Sequence, residues 1–445
     1  MSWFDNRRTV FTLLTLLILV VVFNTVSWLY NNQMSLVTVA EEKDAKQAKE
    51  SELVLAKIRE LEDLVRHLTP PPLVSTAFST TPPSQLTEDD IKQLARERLQ
   101  GRLDPFDPKV VLTDKDMLTY FIDYFNEHSE VLNKNKFKLA DNHIPIVIRV
   151  FNKPQYFKVV LEFYKRLPRI SETMLIISHD GIFKDMFDLV SAIDFCQVKQ
   201  IIHPYSSQVL SNRFPGKLPI KEEADPNHPR DNNVTPLKHH YWWHLNYIWE
   251  ALLKNHQGDI CLMEEDHLPL QDFYQTLTAV RDIRNKDCPE CWSVQLEGSQ
   301  LGGQENHMLG MSDNIGNMGV TFDRKHWNML KGAAKEFCEF NDYNWDWTMQ
   351  RMKNLGKIGD KFMFTRLARI VHIGTCGVHL KGAVCEVTPD ERRDYEQRFD
   401  NSKNNGDWSK YDINTGLIHG YPQKNAPGFG SWDTADRQHC LKISY

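Results

Sequence analysis

Four short apolar runs punctuate the middle of the chain: Ile144 to Val150, Met174 to Ser178, Val198 to His203 and Ile260 to Met263. The first is short, continuous and rich in β-branched residues, the mark of a strand covered on both faces, and the others are short enough to be strands. Helix-length stretches separate them. Pro154 opens one, in the first-turn position that suits proline. Another spans Ile182 to Phe195, and a long aromatic one spans Leu237 to Asn255. Strands alternating with helices give an α/β fold with a doubly wound sheet, and ligands of such sheets lie outside the carboxyl ends of the strands. No Gly-x-Gly-x-x-Gly follows the first run, which counts against a dinucleotide-binding half.

Ahead of this region, Val10 to Leu29 is a run of 20 uncharged residues. A helix of that length at ~1.5 Å per residue crosses a ~30 Å hydrocarbon core. Arg7 and Arg8 precede it and no charge follows until Glu41, so residues 1–9 are expected in the cytosol and the remainder in a lumen. The alternative is a cleaved signal peptide, with Thr38-Val39-Ala40 as its small-residue site. A signal h-region is only ~7–15 residues, so an uncleaved anchor over 10–30 is the expectation. Residues 31–135 then read as a stem. Within it Val54, Ile58, Leu61, Val65 and Leu68 form a brief coiled-coil seam (54–68) that could pair two copies, or a solvated single helix. The Pro/Ser/Thr-rich stretch 69–85 cannot pack. Leu86 to Glu130 reads as amphipathic helix, either the last of the stem or a cap on the domain. The lumenal domain is expected over 136–445. The chain has 445 residues, 41% hydrophobic, ample for a core; 53 Lys+Arg against 59 Asp+Glu give a net charge of -6, which argues against nucleic acid as a partner.

Three clusters carry chemistry. Glu264-Glu265-Asp266 follows the fourth apolar run. Carboxylates at the end of a central strand are costly unless they bind something, and a hard divalent cation is the economical partner. Asp342-Tyr343-Asn344-Trp345-Asp346-Trp347 sets carboxylates among rings that suit sugars, so Asp346 or Asp342 could act as a general base, unless the tryptophans are simply core. His372, Cys376, His379 and Cys385 match a Cys2His2 zinc site by type. In an oxidising lumen the two cysteines would instead pair. His372, ending an apolar run from Leu367 to Val371, would then be a metal ligand beside Asp266 or a hydrogen-bonded core residue.

The run Phe340-Asn341-Asp342-Tyr343-Asn344-Trp345-Asp346-Trp347-Thr348 closely resembles the N-acetylglucosaminyltransferase II family. So do Lys238-His239-His240-Tyr241-Trp242-Trp243, Leu262-Met263-Glu264-Glu265-Asp266-His267, Cys288-Pro289-Glu290-Cys291 and Asn317-Met318-Gly319. The likeness covers about Pro145 to Cys440. It implies a GT-A glycosyltransferase fold, a Rossmann-like mixed sheet flanked by helices. It also implies a Golgi enzyme, single-pass and type II, that moves GlcNAc from UDP-GlcNAc with Mn2+ and inversion. The acceptor implied is the α1,6-arm mannose of the N-glycan core on glycoproteins, joined in β1,2 linkage. Carried over by motif, Asp266 and His372 are the metal ligands and Asp346 the base. Arg149, Val150, Phe151, Asn152 and Lys153 form the nucleotide loop, with Asp180 beside the uracil. Pro236, Leu237, Lys238, His239 and His240 match a donor-binding segment, and Glu264 and Trp345 fall where acceptor contacts are expected. Implied disulfides are Cys288–Cys291, Cys338–Cys440 and Cys376–Cys385, leaving Cys196 and Cys261 free. One departure bears on the donor: the loop reads Val150-Phe151-Asn152-Lys153-Pro154 where the family reads Val-His-Asn-Arg-Pro, and lysine lacks arginine's bidentate geometry.

Other readings stay open. A related transferase acting on the α1,3 arm or on an O-mannose would share these motifs. A glycan-binding protein without activity need not keep Asp266, His372 and Asp346 together. A zinc hydrolase would be expected to carry His-Glu-x-x-His, which the chain lacks.

Asn233-Val234-Thr235 is the one Asn-x-Ser/Thr sequon, in a polar segment on the expected lumenal side. Protein from a secretory host is expected to lose mass at Asn233 on N-glycosidase treatment. An unchanged mass removes the site.

Overall fold

The computed structural model describes residues 88–445, except 100–102, 105, 107–114, 207, 211–213, 216–229, 299–307, 378–384, 403–407, 420–427 and 444–445. The expected tail, anchor, coiled-coil seam and Pro-rich stretch lie outside the described residues. Among those described, no helix is long and apolar enough to cross a membrane.

The elements run α1 (Glu88–Leu99), α2 (Lys115–His128), β1 (Ile146–Val150), α3 (Pro154–Tyr164), β2 (Met174–His179), α4 (Lys184–Ser191), β3 (Gln197–Ile202) and α5 (Thr235–Tyr247). After them come β4 (Asp259–Glu264), β5 (His267–Pro269), α6 (Phe273–Asp287), β6 (Ser293–Gln295), β7 (Leu309–Ser312) and β8 (Val320–Asp323). The chain continues through α7 (Arg324–Gly332), α8 (Ala334–Glu339), α9 (Trp345–Asn354), β9 (Phe362–Thr365), β10 (Ile370–His372), α10 (Pro389–Asn401), β11 (Ile413–Ile418) and α11 (Thr434–Lys442). The four apolar runs become β1 to β4. The aromatic helix is shorter than expected: α5 stops at Tyr247 and a π turn over Ile248–Leu252 follows.

Nine strands form one mixed sheet in the order β11-β7-β9-β6-β8-β4-β1-β2-β3. Strands β4, β1, β2 and β3 are mutually parallel, and β8 closes on β4 antiparallel. From β1 the chain steps outward through β2 to β3, then returns to lay β4 on β1's other side. The strand order therefore reverses between β1 and β4, which opens a crevice beyond their carboxyl ends. Alternate strand residues serve two cores. Ile146, Ile148, Cys261 and Met263 face α3 and α6, through Phe157, Val160, Phe273 and Leu277. Val147, Ile176, Ile260 and Leu262 face α5, α7 and α9, through Trp242, Leu245, Trp327 and Met349. Burying each such side chain contributes about 1.5–3 kcal/mol.

One open reading is decided and one expectation needs correction. Of the two readings of Leu86 to Glu130, the described helices α1 and α2 take that of a cap packed on the domain. Helices α1 and α2 belong to it because β3 is an edge strand whose backbone needs partners. Asn126 of α2 donates from Nδ2 to the Ile202 carbonyl at 2.8 Å, and its Oδ1 accepts from the Ile202 N–H at 2.7 Å. Leu99, Phe121, Ile122 and Phe125 pack with Phe187 and Ile202. The strand expected over Leu367 to Val371 is only Ile370–His372, and it joins β5 in a separate two-stranded sheet.

The three expected disulfides form, with Cα separations of 5.3, 5.6 and 5.2 Å for Cys288–Cys291, Cys338–Cys440 and Cys376–Cys385. Cys196 and Cys261 are buried free thiols. Sulfurs bonded to each other do not bind zinc, so the Cys2His2 reading falls. Cys338–Cys440 links residues 102 apart and ties α11 to α8, so replacing both by serine is expected to cost about 2–5 kcal/mol in denaturant unfolding. An unmoved midpoint would show that the C-terminal helix is held by packing alone.

Candidate active site

Strand β4 ends at Glu264, and Arg149 of β1 lies beside it in register. Their side chains form an ion pair, with Arg149 Nη2 donating to Glu264 Oε1. Burial raises the proton affinity of Glu264, but Arg149 and His267 outweigh it and hold the carboxyl below its ordinary range. Glu265 turns the other way and accepts from the Phe151 N–H at 2.7 Å. Burial pushes this carboxyl up to about 7, against the opposing charge of Lys153. Asp266 accepts from Lys153 Nζ at 3.2 Å. For Asp266 burial is again the largest effect, and His267, Lys153 and His372 overcome it to leave the carboxyl below its usual range.

The small sheet explains how His372 reaches this point. Strand β5 starts directly after Asp266, and β10 runs antiparallel to it, so His372 lies opposite His267. His372 Nε2 stands 3.7 Å from Asp266 Oδ2. Gly374 lets the chain pass this close, since a Cβ there would lie 2.2 Å from Asp266 Oδ2. Ligating atoms of Asp266, His267 and His372 all fall within 4.8 Å of one another. The Asp266 Oδ1 atom is buried without a hydrogen-bond partner. A carboxylate with an orphaned oxygen beside a half-exposed imidazole fits a divalent cation. His267 is the ligand-type residue that motif reading passed over, although it stands in the quoted motif. Its Nδ1 accepts from the Glu264 N–H at 3.1 Å. Burial lowers its pKa against the raising charges of Glu264 and Asp266, and with Nδ1 accepting, the proton of the neutral ring is placed on Nε2, which then donates rather than ligates.

Asp346 comes from the first turn of α9. Trp345, the residue before it, is buried and stacks on Tyr241 of α5 with centroids 4.3 Å apart. The Arg149 guanidinium lies 5.4 Å from the Trp345 ring and 5.6 Å from that of Tyr241. Trp345 is thus a prop for the helix start, and Tyr241, quoted in the family motif but given no role there, is its supporting residue. Burial raises the proton affinity of Asp346; the Trp347 N–H, donating at 2.8 Å, offsets part of this. Asp342, the rival base, is committed elsewhere. It accepts from the Asn344 N–H at 2.8 Å and the Phe429 N–H at 3.0 Å and is 1% exposed.

The remaining expected donor residues divide. Val150 is buried, while Phe151 and Asn152 are exposed at the mouth of the crevice. Asp180 follows β2, and its backbone N–H donates to the Val150 carbonyl at 2.8 Å. Its carboxylate pairs with His203 Nδ1 at 2.9 Å. His203 stacks on His240, which bonds Ser178 Oγ at 2.8 Å. Pro236 is buried and Leu237 half-buried. Lys238 and His239 do not face the crevice. Lys238 Nζ donates to the Phe340 carbonyl at 2.9 Å, and burial lowers its pKa to about 7. His239 Nε2 meets Asp436 of α11 at 2.8 Å. Both side chains are therefore structural, since a helix buried on nearly every side turns its polar residues onto protein partners. Asn233 is exposed in the turn before α5, with Asp231 Oδ1 accepting from its Nδ2 at 2.9 Å.

The model of the N-acetylglucosaminyltransferase II (MGAT2) family matches residues 120–440. The chain belongs to that family. Among curated relatives it is similar to the α-1,6-mannosyl-glycoprotein 2-β-N-acetylglucosaminyltransferase of Arabidopsis thaliana, 36% identical over 261 residues, covering 54% of this chain and 60% of that protein. Its likeness to the Homo sapiens protein of the same name is 30% over 274 residues, again covering 54% and 60%. The chain thus spans about 60% of the length of these relatives. A solved structure of S. aureus TarS 1-349 aligns with 51% of this chain and 59% of that one at a TM-score of 0.30 and 11% identity, too loose to carry weight.

If the cluster holds a divalent cation, binding of one such as Mn2+, measured by calorimetry, is expected to disappear in Asp266→Ala and His372→Ala. His267→Ala, which removes an orienting neighbour, should cost roughly 10–100-fold in affinity. Equal loss in all three would make His267 a direct ligand.

Proposed function

We infer that the chain is an inverting glycosyltransferase of GT-A type. It moves GlcNAc from UDP-GlcNAc in β1,2 linkage onto the α1,6-arm mannose of an N-glycan core. One observation supports this above the rest. The family match includes both the Asp266–His372 pair and Asp346, and the Trp345–Arg149–Glu264 contacts bring α9 to the strand end that carries Asp266. The acceptor branch is taken from the relatives' names. A Golgi membrane location with the domain lumenal, and pairing of two copies through the stem, belong to the same reading.

Inverting transfer needs no enzyme nucleophile. The acceptor hydroxyl attacks the anomeric carbon in line, from the face opposite the departing UDP. Asp346 takes the hydroxyl proton at its carboxylate as that bond forms. Burial of this carboxyl favours the proton-accepting role, because a base works best with its proton affinity raised toward the working pH. Asp266 and His372 would hold a divalent cation of the Mn2+ type, which supplies charge neutralisation to a diphosphate leaving group. Lys153 and Arg149 add fixed positive charge at the same strand end. The Asp180–His203 pair lies one strand further along, a carboxylate available to a base edge.

Product analysis with UDP-GlcNAc and a mannose-terminated biantennary core tests this directly. GlcNAc added at the α1,6-arm mannose is the expected result, and addition only to the other arm would reassign the acceptor. Asp346→Asn should lower turnover by about 10²–10⁴-fold with UDP-GlcNAc affinity retained. The native acid limb should follow the raised pKa of Asp346. The active form is the deprotonated one, so activity falls as pH drops through a value above the ordinary carboxylate range. Near-native turnover in Asp346→Asn removes it as the base.

A further inference from the structure

Phe429 is the most exposed large apolar side chain among the described residues, at 54%. Its backbone is nevertheless held firmly. The Phe429 N–H donates to Asp342 Oδ2 and the Gly430 N–H to the Asn341 carbonyl, both at 3.0 Å. The Trp432 N–H donates to Asn341 Oδ1 at 3.1 Å, and its indole N–H to the Cys338 carbonyl at 2.8 Å. A Cβ on Gly428 would lie 2.0 Å from the Asn341 carbonyl oxygen, so only glycine lets the strand approach this closely. The buried carboxylate of Asp342 is spent on this attachment. A ring set half in solvent on so fixed a backbone presents an apolar face outward.

Its neighbour is Trp347, with ring centroids 5.6 Å apart and planes inclined at 59°. Trp347 directly follows Asp346 and donates its N–H to that carboxylate. The two rings thus form an inclined aromatic wall beside the proposed base. A pyranose has an apolar face of C–H bonds and an equator of hydroxyls. The C–H face matches the negative face of an aromatic ring, and the equator matches a carboxylate. The nucleotide diphosphate is a poor occupant, since Asp342 and Asp346 stand on this side and the cations Arg149 and Lys153 stand at the end of β1.

We propose that Phe429 and Trp347 form the platform on which a hexopyranose of the acceptor glycan lies, with its hydroxyl edge turned to Asp346. This rests on the reading of the site as a transferase acting on a mannose-terminated glycan. It assigns acceptor contact to Phe429 and Trp347 in place of the buried Trp345.

Steady-state kinetics with UDP-GlcNAc and a mannose-terminated acceptor, together with calorimetry using UDP and Mn2+, test the platform in three variants. Phe429→Ala and Phe429→Leu should raise the acceptor KM roughly two- to tenfold, the factor expected for one stacked ring. Phe429→Tyr keeps the ring and should stay close to the native value. UDP affinity should not change in any of them. A native acceptor KM in Phe429→Leu overturns the proposal, because apolar bulk alone would then suffice. A fall in UDP affinity parallel to the rise in acceptor KM also overturns it, because the loop would then act through general disorder. If the native protein transfers to no mannoside, the transferase reading fails separately. Saturation-transfer NMR with methyl α-mannoside then decides the platform: ring-proton signals lost in Phe429→Ala support it, and no signal with native protein refutes it.

Discussion

Three consecutive carboxylates, Glu264, Glu265 and Asp266, end a strand in the middle of the sheet, and much of the site follows from how their charge is managed. Each is shielded enough that burial is the largest influence on its proton affinity, and that influence raises it in every case. Left unpaired, such charges would cost more than a domain of this size could offset. The chain answers with a different partner for each. Glu264 takes Arg149 from the adjacent strand, Glu265 takes a backbone N–H from the loop after β1, and Asp266 takes Lys153 and the edge of His372. Asp266 Oδ1 is left buried without a hydrogen-bond partner, on a carboxylate whose other oxygen stands 3.7 Å from His372 Nε2.

The Arg149–Glu264 pair then fixes the other half of the site. Arg149 lies under the stacked rings of Tyr241 and Trp345, so the first turn of α9 rests on an ion pair rooted in two central strands. Asp346 inherits that position. The far side of the same segment is fastened by different means: Lys238 reaches the Phe340 carbonyl from α5, Asp342 holds the Phe429 N–H, and a disulfide joins α8 to α11. The proposed base, at a helix start, is thus anchored from both directions. This is what positioning within a fraction of an ångström requires.

The parts of this arrangement legible in the sequence are those with a local signal. Strands β1, β2 and β4 were visible because each is largely an apolar run, β3 from Val198, Ile201 and Ile202 around two polar residues, and the acidic triplet because it ends one. Strands β6 to β9 are only three or four residues long, too short for any periodicity to stand out. Helices α1 and α2 read equally as stem or cap because their apolar faces are ordinary; that they cover β3 depends on Asn126 meeting Ile202, a contact 76 residues away. Lys238 and His239 were legible as a motif but not as buried, since α5 is packed on nearly all sides and its polar residues turn inward to Phe340 and Asp436. His267 was in plain view, yet its role depends on a hydrogen bond from Glu264 that fixes its tautomer. Phe429 carried no signal at all, because what marks it is exposure on a rigid backbone.

The two catalytic requirements pull in opposite electrostatic directions, and the geometry keeps them apart. A carboxylate proposed to hold a cation must stay ionised, and Lys153, His267 and His372 around Asp266 hold its pKa down. The proposed base must retain affinity for a proton: burial and the repulsion of Glu264 and Asp342 hold the pKa of Asp346 up, against the opposing hydrogen bond from the Trp347 N–H. Glu264 acts on both sides of this division. Its charge disfavours ionisation of Asp346, while its salt link to Arg149 keeps that repulsion moderate and anchors Trp345. Sited between strand end and helix start, the pair lets one acidic crevice hold two carboxylates with opposite proton preferences, as an acid–base site working near neutral pH requires.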